Sequence, residues 1–264
     1  MNEGQRGSSK QQRRQRVIVE TVVEEGSVRI ESLAERFGIS VMTVHRDLDE
    51  LEARGLLRKT RGQATALSTS IAESSDVFRL AQQGEEKMAI AQAAIALIEP
   101  GQSLMMDDST TVLQMGPLLE EKAPITVITN ALGLINQLTG MRGVSLVSLG
   151  GTYFNWASAF MGGTTTEAIS RLRADVFFMS TAAVTDGGCF HQSEETVATK
   201  SAMFAASVQK VLLVDHTKFH RRALHAVVPV SDFDYVIVDE KLSDTDAEQL
   251  ASIAQNVIVA GAKH

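Results

Sequence analysis

The sequence predicts an α/β protein with two parts, an N-terminal winged helix-turn-helix and a mostly parallel, Rossmann-like α/β domain. Two short amphipathic patterns flank a turn at Gly38, and the extended runs on either side of residues 60–63 predict a β-hairpin after them. From residue 103 onward, apolar runs of strand length alternate with helical stretches. Such alternation is typical of a parallel sheet that helices cover on both faces.

A serine-rich, weakly patterned segment separates the two parts. We therefore place the first domain at residues 1–67, a linker at 68–84 and the α/β domain at 85–264. The predicted strands of the second domain are Ser103–Met106, Ile125–Ile128, Val144–Leu149, Val176–Met179, Lys210–Val214, Tyr235–Val238 and Val257–Val259. The predicted helices are Glu85–Ile98, Val112–Glu121, Ala131–Leu138, Thr166–Leu172, Ala198–Val208 and Asp244–Gln255.

The net charge of -7 is distributed unevenly along the chain. Residues 1–66 contain 12 Lys and Arg against 10 Asp and Glu, whereas the rest contains 13 against 22. The first part is therefore slightly basic and the second strongly acidic. Because phosphate repels an acidic surface, any contact with DNA is expected in the N-terminal part.

Cysteine usage and hydropathy indicate the compartment. Cys189 is the one cysteine, which excludes an internal disulfide, and its neighbours Gly187 and Gly188 predict an ordinary loop cysteine. The N-terminus is polar and basic, without the apolar stretch of a signal peptide. No apolar run approaches the roughly 18 residues of a membrane span. We expect a cytoplasmic protein that needs no membrane and no cofactor.

The third predicted helix has two distinct faces. The first three helices are predicted at Lys10–Glu24, at Glu31–Phe37 and from Ser40, a favourable N-cap, to about Arg54. On a helical wheel the third helix has an apolar stripe formed by Val41, Val44, Leu48 and Leu51. The opposite face carries Met42, Arg46 and Asp49, flanked by Thr43 and His45. A helix that reads the major groove needs such a face near its N-terminus.

The hairpin adds a basic cluster at its tip. Arg58, Lys59 and Arg61 lie within four residues, where a wing would contact the DNA backbone. The alternative is an ordinary amphipathic helical unit with a solvated charge cluster. Spacing alone leaves both interpretations open.

The segment IESLAERFGISVMTVHRDLDELEARGLLRKTRGQA resembles the N-terminal signature of the DeoR family of bacterial regulators, ELA..L.VS..TIRRDL..LE..G.L.R.HGGA. The sequence departs from this signature at two positions, where His45 replaces a usual arginine and Gln63 replaces a usual glycine. Both changes bear on which operator sequence the protein prefers. The resemblance implies a regulator that binds double-stranded operator DNA. The resemblance and the helical wheel together predict the following DNA-binding residues: Ser40, Met42, Thr43, His45, Arg46, Arg58, Lys59 and Arg61.

The resemblance continues more weakly to about residue 240. In this family, the second domain is similar to sugar-phosphate isomerases and CoA transferases and senses a phosphorylated sugar or similar metabolite at its strand ends. Residues 107–111 match a D-S-G-T-T loop of the family. Four further family motifs match at later positions: T-N at 129–130, G-G at 150–151, E…K at 195 and 200, and D-S-S-K-F at 215–219. The implied effector-binding residues are Asp107, Asp108, Ser109, Thr110, Thr111, Thr129, Asn130, Gly150, Gly151, Ser180, Glu195, Lys200 and Lys218.

Each of these motifs follows a predicted strand or lies in the next loop, where ligands of open α/β folds bind. Residues 109–111 precede a predicted helix and would offer hydroxyls and backbone N–H groups to a phosphate. Lys200 or Lys218 would supply its counter-charge, and Asp107 or Asp108 would accept sugar hydroxyls. Side chains at Ser109, Ser180 and Ala183 replace family glycines. The effector therefore differs from the family norm or has been lost.

Three alternatives stay open from the sequence. One is an isomerase-like or deaminase-like enzyme fused to a DNA-binding module, with Asp107, Glu195 and Lys200 as acid or base groups. Another is a regulator without any small-molecule effector. A zinc site at His216, His220 and His225 is disfavoured by the neighbouring cations, so we expect no metal. We also expect a homo-oligomer, a dimer or tetramer, assembled through residues beyond 85.

Overall fold

A computed structural model describes residues 11, 13–15, 17–19, 21–22, 25–53, 56–66, 79–80 and 82–261. The chain divides into two compact units, one formed by residues 1–82 with 155–157 and one by residues 83–154 and 158–264. Most of the predicted linker at 68–84 lies outside the described residues.

The first unit contains three helices and a small antiparallel sheet. The described residues of 11–25 are helical (α1) and precede β1 (Ser27–Arg29), α2 (Ile30–Phe37) and α3 (Val41–Ala53). The predicted hairpin is present as β2 (Leu57–Thr60) and β3 (Gln63–Ala66). The sheet order is β1-β3-β2. Strand β1 was not predicted, since three residues with one buried side chain are too short for a pattern.

The core of this unit lies where the three helices and the sheet meet. Its fully buried residues include Ile18, Val22, Leu33, Val44, Leu48, Leu51 and Leu57. The prediction for Val41 was wrong, because this side chain is 41% exposed. Val41 is the first residue of α3, and the buried part of that helix begins one turn later at Val44. Asp47 is buried on the core side.

The second unit is built on a parallel seven-stranded sheet. Its strands are β4 (Ser103–Met106), β5 (Ile125–Thr129), β6 (Val144–Ser148), β9 (Ala174–Met179), β12 (Ser207–Val214), β14 (Tyr235–Asp239) and β15 (Val257–Ala260). Their order in the sheet is β15-β14-β12-β9-β4-β5-β6. All seven predicted apolar runs form this sheet. The mostly parallel α/β architecture is thus confirmed.

The helices of this unit are α4 (Gly84–Ile95), α5 (Thr110–Leu113), α6 (Leu132–Leu138), α7 (Gly163–Ser170), α8 (Glu194–Ala205) and α9 (Asp244–Ile253). Two predictions were wrong in extent. The helix expected at 112–121 is the four-residue α5 followed by a 3₁₀ helix at Gly116–Lys122, because Pro117 lacks the N–H group that an α-helix needs. The helix expected at 198–208 begins earlier, since Ser193 Oγ accepts from the Thr196 N–H and caps α8, and it ends at Ala205, so residues 207–208 belong to β12 instead.

Two small antiparallel sheets were not predicted. One is the hairpin β7 (Thr152–Phe154) and β8 (Ala159–Met161), and the other joins β10 (Ala183–Thr185), β11 (Gly188–His191) and β13 (His225–Pro229). Cys189 lies in β11 and is buried, so its assignment to a loop was wrong. The tight turn at Asp186 and Gly187, both with positive φ, leads directly into that strand. Burial raises the pKa of the Cys189 thiol to about 12.

Two apolar clusters pack the central sheet. One includes Ile90, Leu104, Val127 and Phe178, and the other includes Met105, Phe177, Leu212 and Val236. Successive residues of one strand, such as Leu104 and Met105, belong to different clusters because strand side chains alternate between faces. Since all seven strands run parallel, their carboxyl ends share one edge. In the described part of the chain, no helix has the length and apolar character needed to cross a membrane.

Candidate DNA-binding surface and effector site

Ser40 caps the N-terminus of α3. Its hydroxyl accepts from the Thr43 N–H at 3.2 Å and lies 2.9 Å from the Thr43 hydroxyl. Gly38 precedes it in the left-handed conformation that closes α2, with φ of 61°. These local bonds hold the first turn of α3 at a defined angle and leave Ser40 exposed. A helix N-terminus in this setting is suited to a phosphate oxygen.

The solvent-facing side of α3 carries the residues that the wheel placed there. Met42 is 65% exposed and Arg46 is also exposed, while Thr43 and His45 are half-buried. A guanidinium at this position can donate two bonds to a guanine edge, and a methionine side chain can pack on a thymine methyl group.

Asp47 holds α3 in place from its inner side. Its carboxylate accepts two bonds from the Arg14 guanidinium, at 2.6 Å from Nε and 3.0 Å from Nη2. Gln15 Nε2 donates a third bond at 3.2 Å. The hydrogen bond with Asp47 raises the pKa of Arg14 despite partial desolvation. Asp47 thus fixes the position of α3 against α1, a role that was not predicted from the sequence although the acid follows Arg46 directly.

The wing is attached to α3 by Lys59. Its ammonium group forms an ion pair with Asp49, and its backbone N–H donates to Glu52 Oε1 at 2.7 Å. Arg58 and Arg61 are exposed. The turn between β2 and β3 contains Gly62 with φ of 74°, whose carbonyl accepts from the Ile30 N–H. The three basic residues therefore have different surroundings, with Lys59 already paired.

In the second unit, the predicted effector residues collect at the carboxyl edge of the sheet. Asp107 and Asp108 follow β4, Asn130 follows β5, and Gly150 lies just beyond β6. Ser180 follows β9 and Asp215 follows β12. Because β12, β9, β4, β5 and β6 are neighbours in this order, these loops form one continuous row.

Asp107 is the centre of a buried network. Its carboxylate accepts from the backbone N–H groups of Ser109 and Ser180, each at 2.9 Å, and forms an ion pair with Lys200. Lys200 also donates to the Ser180 carbonyl at 3.1 Å and lies 3.6 Å from Asp108 Oδ1. In this geometry the single charge of Lys200 is shared between two buried carboxylates, so it is not a spare counter-charge for phosphate.

The loop after β4 is held by capping bonds. Ser109 Oγ accepts from the Val112 N–H at 3.3 Å and caps α5. This helix begins at Thr110 rather than Val112 and has four residues. Thr110 and Thr111 are buried within it. In the next loop, Thr129 Oγ1 accepts from the Ala131 N–H at 3.1 Å. These hydroxyl groups stabilise turns, as serine and threonine after a strand commonly do.

The side-chain amide of Asn130 is hydrogen-bonded through its nitrogen but not, among the described residues, through its oxygen. Its Nδ2 donates to the Phe160 carbonyl at 3.0 Å, which fixes the amide plane. Its Oδ1 is buried and has no hydrogen-bond partner among the described residues. A buried acceptor without a donor is costly, and a bound hydroxyl or amide would remove that cost.

The two glycines of the G-G pair, Gly150 and Gly151, have different surroundings. At Gly151, with φ of 144°, an added Cβ would collide with the Thr165 hydroxyl, so glycine is required for packing. At Gly150, an added Cβ would meet open space. The side chains that replace family glycines are also packed, with Ser180 and Ala183 both buried. They form part of the fold around β10.

Glu195 and Lys218 lie on separate elements. Glu195 is exposed in the first turn of α8, where its own backbone N–H and the Ser193 hydroxyl lower its pKa. Lys218 is buried in a 3₁₀ helix at His216–His220, and its Nζ lies 3.6 Å from Asp215 Oδ2. Glu195 is therefore outside the buried Asp107 network.

The three histidines considered for zinc have other neighbours. His216 Nδ1 lies 2.9 Å from Asp239, and His220 lies 3.3 Å from Asp246. His225 belongs to β13 and pairs in register with His191. Among the described residues, no group of three potential ligands is placed to hold a metal ion.

A capped helix with an exposed arginine, a basic wing and a separate parallel α/β unit with a polar edge define a DNA-binding transcriptional regulator with a sensor domain. Models of the DeoR-like helix-turn-helix domain and the DeoR C terminal sensor domain match residues 14–70 and 82–240. The chain belongs to the DeoR family.

Three proteins named as repressors match this chain over most of their own length. The transcriptional repressor AccR of Agrobacterium fabrum is 31% identical, over 86% of this chain and 89% of that protein. The lactose phosphotransferase system repressor of Lactococcus lactis is 30% identical, over 90% and 95%. The glycerol-3-phosphate regulon repressor of Escherichia coli is 31% identical, over 87% and 91%.

Among solved structures, ribose 5-phosphate isomerase A of Methanocaldococcus jannaschii matches 52% of this chain and 55% of that chain. The sequence identity is 16% and the TM-score is 0.38, which is too low to support a statement about function. The interpretation as a regulator therefore depends on the family matches, and the relatives named above are repressors rather than enzymes.

Proposed function

We propose that this regulator represses a carbohydrate-catabolism operon in the cytoplasm and leaves its operator when a phosphorylated sugar or similar metabolite binds the sensor domain. The observation that carries the proposal is the row of buried charged groups at the strand ends, in a chain whose relatives are named repressors of lactose and glycerol-3-phosphate systems.

On the DNA, α3 would enter the major groove. Arg46 and Met42 would contact base edges, and His45 would lie beside them. Ser40 and Thr43 would contact a phosphate through their hydroxyls and the helix N-terminus. In the wing, Arg58 and Arg61 would contact the backbone, while Lys59 holds the wing against Asp49.

In the sensor domain, the effector would lie along the carboxyl edge. Asn130 Oδ1 would accept from an effector hydroxyl, which supplies the donor it lacks. Asp108, Lys218 and the backbone around Gly150 would line the same edge. The predicted role of Glu195 is limited to the rim, because its side chain is exposed. The other motif residues would shape the site through the bonds described above.

We also propose a dimer or tetramer assembled through the sensor domain. Two half-sites read by one symmetric assembly multiply affinity and specificity. Strands β6 and β15 are the edges of the central sheet, and Val147 and Val259 on them are exposed apolar residues. Light scattering at micromolar concentration measures the assembly, and a monomer would contradict it.

The test is an operator-binding titration with and without a panel of sugar phosphates. We expect tight operator binding that one member of the panel weakens at least tenfold. Thermal shift with the same panel detects effector binding independently of DNA, because a ligand that binds only the folded state stabilises it. If no compound shifts either measurement, the chain is a regulator without a sugar-phosphate effector. Turnover of any compound would support the enzyme alternative.

A further inference from the structure

The three-stranded sheet β1-β3-β2 has a polar outer face, to which the unpredicted strand β1 contributes. Where β1 pairs with β3, Val28 lies opposite Ala64, and both side chains are buried in the core of the first unit. The residues on either side of them alternate to the opposite face. That outer face consists of two rows of paired residues, which are Ser27, Thr65 and Arg58 in one row and Arg29, Gln63 and Thr60 in the other.

The row that contains Arg29 and Gln63 lies at the tip of the wing. Gln63 is the first residue of β3 after the turn, and Arg29 is directly opposite it in the β1–β3 pair. Directly opposed side chains of an antiparallel pair have Cβ atoms about 5 Å apart. The Ile30 N–H donates to the Gly62 carbonyl, so the beginning of α2 is attached to the same turn. Arg29 and Gln63 are therefore neighbours on the wing tip, although 34 residues separate them in the chain.

The side-chain amide of Gln63 has a defined orientation. Ser27 Oγ donates to Gln63 Oε1 at 2.9 Å, and Thr65 Oγ1 lies 3.4 Å from the same Ser27 oxygen. Because the Ser27 hydroxyl has one hydrogen and gives it to Gln63, its oxygen is left to accept from Thr65. An amide that is bonded through its oxygen directs its Nε2 group, with two N–H donors, away from Ser27. Gln63 is exposed, and in the described part of the chain this Nε2 has no hydrogen-bond partner.

The charged groups around this donor are mainly cations. Arg29, Arg58 and Arg61 are exposed, and the ion pairs formed among the described residues do not include them. The acid that follows Arg29 is Glu31, in the first turn of α2. The two acids of α3 that face the wing are already bonded to Lys59. The wing tip is therefore positively charged and attracts DNA phosphates.

We infer that the wing reads base sequence through Gln63, whose Nε2 donates to a base acceptor in the minor groove next to α3. This inference rests on the proposed docking of α3, because one helix fills the width of the major groove and leaves the wing beside it over the adjacent backbone and minor groove. In the minor groove, A·T pairs present only acceptors, whereas G·C pairs add the N2 amino donor of guanine. The Gln63 donor therefore selects A·T at this flanking position, while Arg29 contacts the phosphate backbone beside it.

The test selects binding sites for the full-length protein from a pool of random DNA duplexes, with wild type and Gln63→Ala in parallel. Wild type should select A·T pairs that flank the positions whose preference depends on Arg46, and Gln63→Ala should lose the flanking preference alone. On the selected duplex, wild type should prefer A·T over G·C at the flank by about fivefold or more, and the variant by less than about twofold. An inosine·cytosine pair keeps the major-groove edge of guanine but lacks its N2 amino group, so wild type should bind it as it binds A·T.

Further variants separate the orientation of the amide from the stability of the fold. Ser27→Ala should weaken the flanking preference, and Ser27→Thr, which keeps the hydroxyl, should retain it. Arg29→Gln should lower the log–log salt slope of binding by about 0.9 without changing the base preference. Arg36→Gln is the matched control, because Arg36 is also exposed on α2 but is paired with Glu25, and it should change neither quantity. Thermal melts of every variant establish that it is folded.

The inference fails if Gln63→Ala keeps the flanking preference or if wild type has none. It also fails if the inosine·cytosine pair binds like G·C, since the flank would then be read from the major groove. An equal loss on all sequences for Gln63→Ala would overturn it as well, because the amide would then contact a phosphate. The proposed docking of α3 has a separate readout, and it is wrong if Arg46→Ala selects the same sites as wild type.

Discussion

The DNA-binding surface and the strand-end site differ in how the fold uses their polar groups. On α3, Arg46 is exposed to solvent, whereas the inward-facing Asp47 is buried and bonded to Arg14. At the strand ends, Asp107 and Lys200 are both buried and bonded to each other. A surface that reads DNA must stay open, whereas a site that encloses a small molecule buries groups that then need internal partners.

This difference determines what a sequence can show. Exposure of Arg46 follows from its position opposite an apolar stripe, which a helical wheel displays. The partner of Asp107 is 93 residues away in the chain and becomes evident only in three dimensions. Motif positions at the strand ends are therefore identifiable from sequence, but their division into ligand contacts and internal supports is not.

The largest effect that tests this contrast is expected from Asp107→Asn. The change leaves the buried Lys200 with Asp108 at 3.6 Å as its remaining carboxylate. Breaking a buried ion pair typically costs about 3–5 kcal/mol, so the free energy of unfolding should fall by about that amount. Urea denaturation followed by circular dichroism measures it. The exposed Asp232→Asn serves as control and should change stability by less than about 0.5 kcal/mol.

A loss below about 1 kcal/mol for Asp107→Asn would contradict the buried network. It would mean that water enters the strand-end site as freely as it reaches the outer face of α3.

A smaller loss is expected from Asp47→Ala, because its partner Arg14 is partly exposed. Hydrogen bonds to a charged group contribute about 1.5–3 kcal/mol, and the first unit should lose about that much stability. Operator affinity should fall as well, although Asp47 is buried and does not share the exposed face of Arg46. Hydrogen exchange of α3 amides measures the loosening, with Glu35→Ala at an exposed position of α2 as the control.

If Asp47→Ala leaves hydrogen exchange in α3 unchanged, Asp47 is not what positions the helix. A loss of operator affinity without faster exchange would instead indicate a direct effect on the DNA contact.

The fold itself was largely predictable, for a reason visible in individual strands. Leu104 and Met105 point to opposite faces of the sheet and are both fully buried, so β4 appears in the sequence as an uninterrupted apolar run. All seven central strands share this property to some degree. The small strands do not, because β11 contains a glycine and a histidine and pairs with β13 across more than 30 residues. Short strands with such distant partners have no local signal.

The candidate sites were predictable in part for the same reason. Residues that follow an apolar run, such as Asp107 and Asn130, are recognisable as strand-end groups. The pairing of Lys59 with Asp49 and the partnerless Oδ1 of Asn130 depend on the orientation of particular side chains. Asp47 was missed because a charged residue in an amphipathic helix is ordinarily assigned to solvent.

For Arg46→Ala we expect a loss confined to DNA binding. A direct base contact is worth about 1–3 kcal/mol, so operator affinity should fall by a factor of about 5 to 150 with thermal stability unchanged. Gel-shift titration with the operator and with a scrambled duplex separates specific from general binding. Affinity for the operator equal to wild type would exclude α3 as the reading helix, and an equal loss on both duplexes would make Arg46 a phosphate contact.

The smallest effects are expected in the wing, where two neighbouring cations should behave differently. Arg61 is exposed at the tip, so Arg61→Ala should lower the log–log salt slope of operator binding by about 0.9, the value for one phosphate contact on duplex DNA. Lys59 is already paired with Asp49, and Lys59→Ala should change the slope by clearly less. The double variant should therefore lose about one unit, rather than the two expected if both residues contact phosphates. Titrations at four or more salt concentrations measure the slopes, with Asp49→Asn releasing Lys59 as the complementary variant. A loss of two units in the double variant would show that DNA displaces Asp49 from Lys59, and that the wing rearranges when it binds.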